Sequence, residues 1–240
     1  MPETSPGADG VELSIVMPVF NEEDTVVEAV KRALDVGLPA ANLEILVVDN
    51  GSRDRSLERL RAQAWPPQVT ILVLEHNRGK GGALRFGARH ARGEYLAVLD
   101  ADLEYNPRDL LPMLASLQEE DVEAVIGSRL WRANSAYGYW YVVGNKAINV
   151  ACNAMYNTYL SDINACLKIV PTSLFNSLGL RENGFGFDSE VVARLLRRGV
   201  RVHEVPISYK PRSRQEGKKI KVLDGVRILG VLARCRVLSG

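Results

Sequence analysis

Short runs of apolar, β-branched residues alternate along the first half of the chain with segments in which apolar residues recur every three or four positions. The apolar runs predict buried strands, and the periodic segments predict amphipathic helices. The predicted strands are Leu13 to Met17, Glu44 to Val48, Val69 to Leu74, Tyr95 to Leu99 and Val122 to Ile126. The predicted helices are Glu23 to Val36, Asp54 to Ala64, Gly81 to Ala91 and Pro107 to Gln118. This alternation predicts a doubly wound α/β fold, with a mostly parallel sheet and helices on both faces.

The pattern changes after Gly127, where aromatic residues crowd the segment from Trp131 to Tyr141. The remaining predicted elements are a long helix within Tyr139 to Leu160, a strand Ala165 to Val170, a helix Phe187 to Arg198, a strand Val200 to Pro206, a basic loop Arg212 to Lys219 and a helix Val222 to Leu238. No repeat or linker interrupts the chain. We therefore predict a disordered terminus over residues 1–12 and one domain over residues 13–240, with two functional halves, 13–128 and 129–240.

Composition narrows the class of protein. The 240 residues include 30 Lys and Arg against 29 Asp and Glu, so the net charge of +1 offers nucleic acid no general attraction. Three cysteines without ligand spacing favour free thiols in a reducing compartment, so we expect a cytoplasmic protein. They are Cys152, Cys166 and Cys235.

Unusual polar sequences follow four of the predicted strands. They are Pro18 to Glu22, Asp49 to Asp54, Asn77 to Ala83 and Asp100 to Asp102. Ligands of open parallel sheets bind outside the carboxyl ends of the strands, so these four segments are the candidates for a site.

Two of the segments carry recognisable chemistry. Asp100 and Asp102 stand two residues apart after a strand, so both carboxylates can face one Mg²⁺ or Mn²⁺ ion; an acidic turn with a capping Asp is the alternative. The glycine-rich turn from Asn77 to Ala83 opens a helix and could receive an anion on its backbone N–H groups. It lacks the glycine order of dinucleotide-binding and P-loop motifs, and a plain turn is the alternative.

Taken together and in this order, the four segments closely resemble the inverting family 2 glycosyltransferases of GT-A fold. Within that family, the chain most resembles the dolichyl-phosphate or polyprenyl-phosphate mannose and glucose synthases. The resemblance continues in Gly127 to Arg129, Asp162 to Lys168, Phe185 to Glu190 and Glu204 to Tyr209. One departure is Asn50, which stands where the family usually has a second Asp.

The resemblance implies that residues 13–128 bind a nucleotide sugar such as GDP-mannose or UDP-glucose. The implied donor-binding residues are Pro18, Phe20, Glu22, Asp49, Gly79, Lys80, Asp100, Ala101 and Asp102. The implied ligands of Mn²⁺ or Mg²⁺ are Asp100 and Asp102, with Glu104 as a third.

The resemblance also implies that residues 129–240 bind the acceptor, polyprenyl phosphate. A phosphate monoester is already an anionic nucleophile and needs no strong base. Candidates for binding its phosphate are Arg129, Lys146, Arg212 and Lys218. A hydroxyl acceptor would instead require a base, for which Asp188 and Glu190 are candidates beside Arg129 as a catalytic cation. Helix capping is the alternative role for the two carboxylates.

Two further patterns in the second half have competing interpretations. Residues 210–236 carry nine basic and two acidic residues, which suits peripheral docking on anionic lipid at the inner membrane face; a packed helix with solvated arginines is the alternative. A repeat of asparagines every four residues could line a channel for the acceptor. We favour the alternative that the repeat forms the solvent-exposed face of an amphipathic helix. It comprises Asn145, Asn149, Asn153 and Asn157.

Three other functions fit parts of the pattern. Transfer to a hydroxyl of a soluble or glycan acceptor would use the same donor site. A nucleotidyltransferase would also use a glycine-rich turn and paired Asp residues, but would carry that turn after its first strand. A sugar-nucleotide sensor without catalytic activity is the third alternative, suggested by Asn50 and the unusual basic loop.

Overall fold

The computed structural model describes residues 10–129, 139–184, 186–211 and 222–237, and the side chains within them except those of residues 139–141 and 222–224. Its strands are β1 Leu13–Val19, β2 Leu43–Asp49, β3 Val69–Val73, β4 Tyr95–Val98, β5 Ala124–Ser128, β6 Lys168–Pro171 and β7 Val202–Pro206. Its α-helices are α1 Val26–Leu34, α2 Ser56–Arg61, α3 Gly79–Ala88, α4 Leu110–Ser116, α5 Tyr139–Tyr156, α6 Thr172–Ser177, α7 Phe187–Arg197 and α8 Val222–Val237. Short 3-10 turns cover Ala40–Asn42 and Pro107–Asp109.

The seven described strands form one sheet in the order β3-β2-β1-β4-β6-β5-β7. All neighbours are parallel except β6, which runs antiparallel to both β4 and β5. The mostly parallel sheet is therefore confirmed, with one reversed strand that the sequence pattern did not predict. Because β6 comes from the second half of the chain and lies between two strands of the first, the two predicted halves share one sheet.

The central strands β1 and β2 are almost wholly buried, as expected for parallel strands covered on both faces. Their register pairs Val19 with Asp49 and Asp49 with Val73, so β1, β2 and β3 end level with one another. This level edge brings the loops after the three strands together. The predicted arrangement of the polar segments along one edge follows directly from this register.

A second apolar core lies beneath α5, α7 and α8, beside the main core that fills the sheet. Its buried members include Ile126, Ile148, Val192, Leu232 and Cys235. Each of the three helices therefore contributes one apolar stripe to this core. All three cysteines are buried and unpaired, which confirms the prediction of free thiols.

The asparagines of α5 do not form the solvent-exposed face that the sequence suggested. Asn149 donates to the carbonyl of Ser161 at 2.7 Å and accepts the N–H of Ile163 at 3.0 Å. Asn153 makes the same paired contact with the backbone of Leu160, at 2.9 Å in each direction. These two amides therefore hold the segment after α5, whereas Asn157, the last of the four, lies beyond the end of α5 and is exposed.

The amino terminus differs from prediction where it is described. Val11 is buried, and the N–H of Glu12 donates to the carbonyl of Asn42 at 3.0 Å. Residues 11 and 12 are therefore already part of the folded domain. The aromatic segment 131–138, the whole of the basic loop 212–219 and residues 1–9 lie outside the described residues.

Candidate active site

The last residue of β2 has a buried carboxylate, and one of its oxygens accepts no hydrogen bond from the described residues. Asp49 is 1% exposed, and its Oδ2 accepts the N–H of Ser52 at 3.3 Å. Its Oδ1 is buried and has no hydrogen-bond partner among the described residues. Buried polar atoms without a partner are rare in folded proteins. Asp49 is therefore suited to accept a hydrogen bond from a ligand, such as an N–H group of a nucleobase.

Residues at the end of β1 lie beside the loop that follows β2. Pro18 and Phe20 are half-buried. The N–H of Asn21 donates to Ser52 Oγ at 3.1 Å, and the N–H of Glu22 donates to Ser56 Oγ at 2.8 Å. The structure thus brings the predicted donor residues of β1 next to the loop that carries Asp49.

Asn50 links the end of β2 to the glycine-rich turn. Its Oδ1 accepts the N–H of Arg78 at 2.8 Å, and its Nδ2 donates to Asn77 Oδ1 at 3.2 Å. An ionised Asp at position 50 could not donate the second of these bonds. The chain thus has Asn50 where the family usually has Asp, and Asn77 supplies the side-chain oxygen that accepts the hydrogen bond from Asn50.

The glycines of the turn serve backbone packing. A Cβ at Gly79 would clash with the carbonyl of Asn183, and one at Gly81 would clash with the carbonyl of Glu182. The N–H of Gly79 donates to Asn77 Oδ1 at 2.7 Å, and that of Gly81 to the carbonyl of Asn183 at 3.0 Å. These two N–H groups are occupied within the protein, and the binding of an anion by the turn Asn77 to Ala83 stays a prediction.

Lys80 lies between these glycines, and its ammonium group belongs to a cluster in which lysine and aspartate side chains alternate. Its Nζ lies 2.8 Å from Asp100 Oδ2 and 3.2 Å from Asp188 Oδ2. Lys168 Nζ lies 3.0 Å from the other oxygen of Asp188. We call these four residues the charge cluster: Lys80, Asp100, Lys168 and Asp188. They come from the start of α3, the end of β4, the start of β6 and the start of α7, so four elements converge here.

The cluster keeps Lys80 and Asp188 in their charged forms. Burial works to raise the pKa of Asp188, but the charges of Lys168 and Lys80 outweigh it and hold that pKa below its usual value. Burial likewise works to lower the pKa of Lys80, and the charges of Asp100 and Asp188 raise it well above its usual value. Both groups are therefore ionised at neutral pH.

The chain turns sharply after Asp100. Ala101 is buried, Asp100 and Asp102 are half-buried, and Leu103 has a left-handed backbone with φ of 62°. Asp102 Oδ1 accepts the N–H of Glu104 at 3.0 Å, while Glu104 Oε2 accepts the hydroxyl of Tyr209 at 2.7 Å.

The carboxylate of Glu104 is thus tied to Tyr209, and the described residues contain no group of three or more side chains arranged to hold a metal ion. This contact does not favour Glu104 as a third ligand, which stays a prediction. Asp100 and Asp102 alone still suit Mg²⁺ or Mn²⁺, because such ions usually combine one or two protein carboxylates with water and substrate phosphates.

Arg129 is committed to other residues of the protein. Its Nε and Nη2 lie 2.6 and 2.7 Å from the two carboxylate oxygens of Asp162, and its guanidinium lies 5.1 Å from the centre of the Tyr209 ring. This fork geometry ties the end of β5 to the loop after α5. Arg129 therefore holds that loop through two of its donors, and its roles in catalysis and in binding the acceptor phosphate stay predictions.

Glu190 is not available as a base. It is fully buried, and its Oε2 accepts the N–H groups of Arg181 and Glu182 at 2.9 and 2.7 Å. Its Oε1 accepts from Arg194 at 3.2 Å. The carboxylate therefore supports the segment before α7, and the prediction of a catalytic Glu190 is wrong. Of the other acceptor candidates, Lys146 is exposed on α5, and Arg212 and Lys218 lie outside the described residues.

Sequence reasoning missed Lys168 as a site residue. It is 2% exposed, begins β6 and contacts Asp188. The available signal was a lysine inside a strongly apolar run, since Lys is almost never fully buried unless it is paired. Its partner is 20 residues away along the chain, so spacing alone could not reveal the contact.

Comparison with known proteins identifies relatives for this architecture. The model of the family described as "Glycosyl transferase family 2" matches residues 14–182. A dodecaprenyl-phosphate galacturonate synthase of Rhizobium johnstonii is 29% identical over 182 residues, covering 74% of this chain and 53% of that protein. An undecaprenyl-phosphate 4-deoxy-4-formamido-L-arabinose transferase of Pseudomonas aeruginosa is 31% identical over 169 residues, covering 69% of this chain and 49% of that protein. The chain thus spans about half the length of both relatives.

The fold also matches solved structures. The glucosyl-3-phosphoglycerate synthase of Mycobacterium tuberculosis, crystallised with Mn²⁺, uridine diphosphate and phosphoglyceric acid, superposes with a TM-score of 0.71. The match covers 96% of this chain and 80% of that chain at 17% sequence identity. The predicted GT-A arrangement is confirmed at the level of the fold.

The ion pairs of Asp188 predict a pH-dependent contribution to stability. We expect Asp188→Asn to lower the free energy of unfolding at neutral pH by about 3 kcal/mol, because the buried ammonium of Lys168 and the partly exposed ammonium of Lys80 each lose a counter-charge. Since the folded-state pKa of Asp188 is depressed, this contribution is present above the unfolded-state pKa and is lost as pH falls through the folded-state value. Urea unfolding measured from about pH 7 to about pH 3 should show the two proteins converging in stability at acid pH.

Asp24→Asn is the matched control, because the side chain of Asp24 is 88% exposed. We expect this control to track the wild type at every pH. A gap between wild type and Asp188→Asn that stays constant down to about pH 3 would contradict the assignment.

Proposed function

This chain belongs to glycosyl transferase family 2, and we propose that it moves a sugar from a nucleoside diphosphate to the phosphate of a polyprenyl lipid with inversion at the anomeric carbon. The two curated relatives above are named for polyprenyl-phosphate products, which supports this acceptor class. They are named for different sugars, so the sequence-based expectation of mannose or glucose stays part of the proposal. GDP-mannose and UDP-glucose are the first donors to test.

The single observation that carries the acceptor assignment is the pairing of Asp188 with two lysines. A hydroxyl acceptor must lose a proton as it attacks, and a base serves best when its pKa lies near the working pH. Both oxygens of Asp188 already accept hydrogen bonds from ammonium groups, and its pKa is depressed. The residue best placed as a base is therefore a poor one, whereas a phosphate acceptor needs none.

The donor side of the proposal rests on the edge formed by β1, β2 and β4. The unused Asp49 Oδ1 would accept an N–H from the base, and Phe20 would line the nucleoside. Asp100 and Asp102 would hold Mn²⁺ or Mg²⁺, which supplies stabilisation of negative charge on the departing diphosphate. Lys80 adds a cation at the same edge, where charge develops.

Two neighbouring helices carry exposed apolar stripes that suit a lipid surface. On α5 the stripe is Val143, Ala147, Val150 and Ala154, and on α8 it is Val226, Leu229, Ala233 and Val237. Val150 and Val226 are each 66% exposed. The exposed Lys146 and Arg236 add positive charge on these helices. Apolar residues beside cations are typical of helices that lie on anionic membranes.

Two arginines of the basic C-terminal region pair with a carboxylate of the protein itself. Arg234 pairs with Glu182 at 2.7 Å, and Arg227 approaches the same carboxylate at 3.5 Å. These arginines hold α8 against the segment before α7. Among the described helices, none combines the length and the apolar character that crossing a bilayer requires.

Lipid extraction tests the acceptor directly. With Mn²⁺ and a radiolabelled donor, GDP-mannose or UDP-glucose, we expect label to enter the organic phase when undecaprenyl phosphate is present. Undecaprenol, which offers a hydroxyl in place of the phosphate, is the matched control and should accept none. Equal transfer to both lipids, or label transferred only to a water-soluble hydroxyl acceptor, would contradict the phosphate assignment.

A pair of substitutions tests the metal ligands. Asp102→Asn should lower transfer by at least about a hundredfold and weaken Mn²⁺ binding, because it removes one of two carboxylates at the diphosphate. Glu104→Gln should retain Mn²⁺ binding, since an amide oxygen can still accept from Tyr209. Both variants are measured by Mn²⁺ titration in the presence of donor. Weaker Mn²⁺ binding by Glu104→Gln than by Asp102→Asn would reverse the ligand assignment.

Vesicle sedimentation tests the membrane surface. We expect Val150→Glu combined with Val226→Glu to weaken binding to phosphatidylglycerol vesicles by about tenfold or more, because charged side chains replace apolar contact and repel the anionic lipid. Val73→Glu is the matched control, an exposed valine on strand β3 of the sheet. If the double variant and Val73→Glu bind vesicles like the wild type, the stripes do not face lipid.

A further inference from the structure

Lys80 occupies one oxygen of Asp100, a carboxylate that a bound metal ion would use. Its Nζ lies 2.8 Å from Asp100 Oδ2, and its side chain is 24% exposed. An ammonium group and a divalent cation are both attracted by the same carboxylate, and they repel each other at short range. A cation that binds Asp100 must therefore displace Lys80 or bind beside its positive charge.

We propose that Lys80 competes with the divalent cation for Asp100, so that the cation binds weakly until a diphosphate is present. Lys80 is then a positioning residue that sets the order in which the site is filled. This inference rests on the proposed function, specifically on Asp100 and Asp102 as the cation ligands.

The surroundings allow Lys80 to leave Asp100 without losing every partner. Its Nζ also lies 3.2 Å from Asp188 Oδ2, so one carboxylate remains when the other is taken. The backbone on either side is fixed, because Gly79 and Gly81 pack against residues 182 and 183. Only the flexible lysine stem has to move, and its three donors can be redirected.

Asp188 is meanwhile held by a second lysine. Lys168 Nζ lies 3.0 Å from Asp188 Oδ1 and is 2% exposed, so it cannot follow Lys80 toward solvent. Asp188 thus keeps one counter-charge wherever Lys80 lies. A diphosphate brings negative charge that balances both the ammonium and the cation. Cation and nucleotide should consequently strengthen each other's binding, since such coupling is reciprocal.

Binding of Mn²⁺ in the absence of nucleotide tests the competition. Free Mn²⁺ is measured by electron paramagnetic resonance with wild type, Lys80→Met, Lys80→Gln and Lys80→Arg. We expect the two neutral variants to bind Mn²⁺ about tenfold more tightly than the wild type, because one repelling charge has gone. Lys80→Arg keeps the charge and should bind as weakly as the wild type. Lys31→Met, at an exposed lysine on α1, is the control for loss of a remote charge.

Addition of UDP or GDP tests the coupling. At least one of these nucleotides should tighten Mn²⁺ binding to the wild type, and by a smaller factor for Lys80→Met. Circular dichroism and the unfolding midpoint establish that each variant is folded. Because Lys80→Met and Lys80→Gln remove the charge with different side chains, a folding defect in one leaves the other as the test.

The outcomes separate this inference from the site on which it rests. Neutral variants that bind Mn²⁺ no more tightly than the wild type, while Asp100→Asn loses binding, would overturn the competition and leave the ligands in place. Tight Mn²⁺ binding that survives in the double variant Lys80→Met/Asp100→Asn would overturn it as well. No Mn²⁺ binding by any protein, with or without nucleotide, would overturn both the inference and the metal site.

Discussion

The arrangement of this site depends on one set of alternating charges, in which Lys80 bridges Asp100 and Asp188 while Lys168 neutralises the far oxygen of Asp188. Removing one member of a buried ion pair leaves an uncompensated charge, which is strongly destabilising. The cluster therefore constrains four elements at once: the start of α3, the end of β4, the start of β6 and the start of α7. It also supports the proposed phosphate acceptor, because the carboxylate that is the candidate base is kept ionised and hydrogen-bonded to two lysines.

Contacts made by neighbouring segments hold the residues of the charge cluster in place. The segment 181–184 packs against the glycine-rich turn and is itself held by the buried carboxylate of Glu190 and by Arg85, which donates to the carbonyl of Glu182 at 2.6 Å. Arg234 joins α8 to the same segment through the Glu182 carboxylate. The two exposed helix stripes and the sheet edge that carries the candidate site are thus parts of one packed assembly. Lipid binding through those stripes would place the membrane beside the helices that support α7.

The sequence predicted what depends on local pattern and could not predict what depends on distant partners. Apolar runs gave the strands, and the polar residues that follow them gave the edge where Asp49, Asp100 and Asp102 lie. The reversed strand β6 escaped prediction because its direction is set by tertiary pairing with β4 and β5. Asn149 and Asn153 of α5 look solvent-facing from their spacing alone, and only the contacted backbone shows that they anchor the following segment. Glu104 matches the spacing of a metal ligand, but the left-handed turn at Leu103 directs its chain toward Tyr209.

The central claim is that two lysines keep Asp188 ionised and unable to act as a base. The most direct test is carboxyl ¹³C nuclear magnetic resonance of protein labelled at aspartate, with the Asp188 signal identified by its loss in Asp188→Asn. The account predicts a signal that does not shift between about pH 5 and about pH 8, because the group is already fully ionised throughout that range. A titration of the Asp188 signal with a midpoint inside that range would show a carboxylate tuned for proton transfer and would contradict the account.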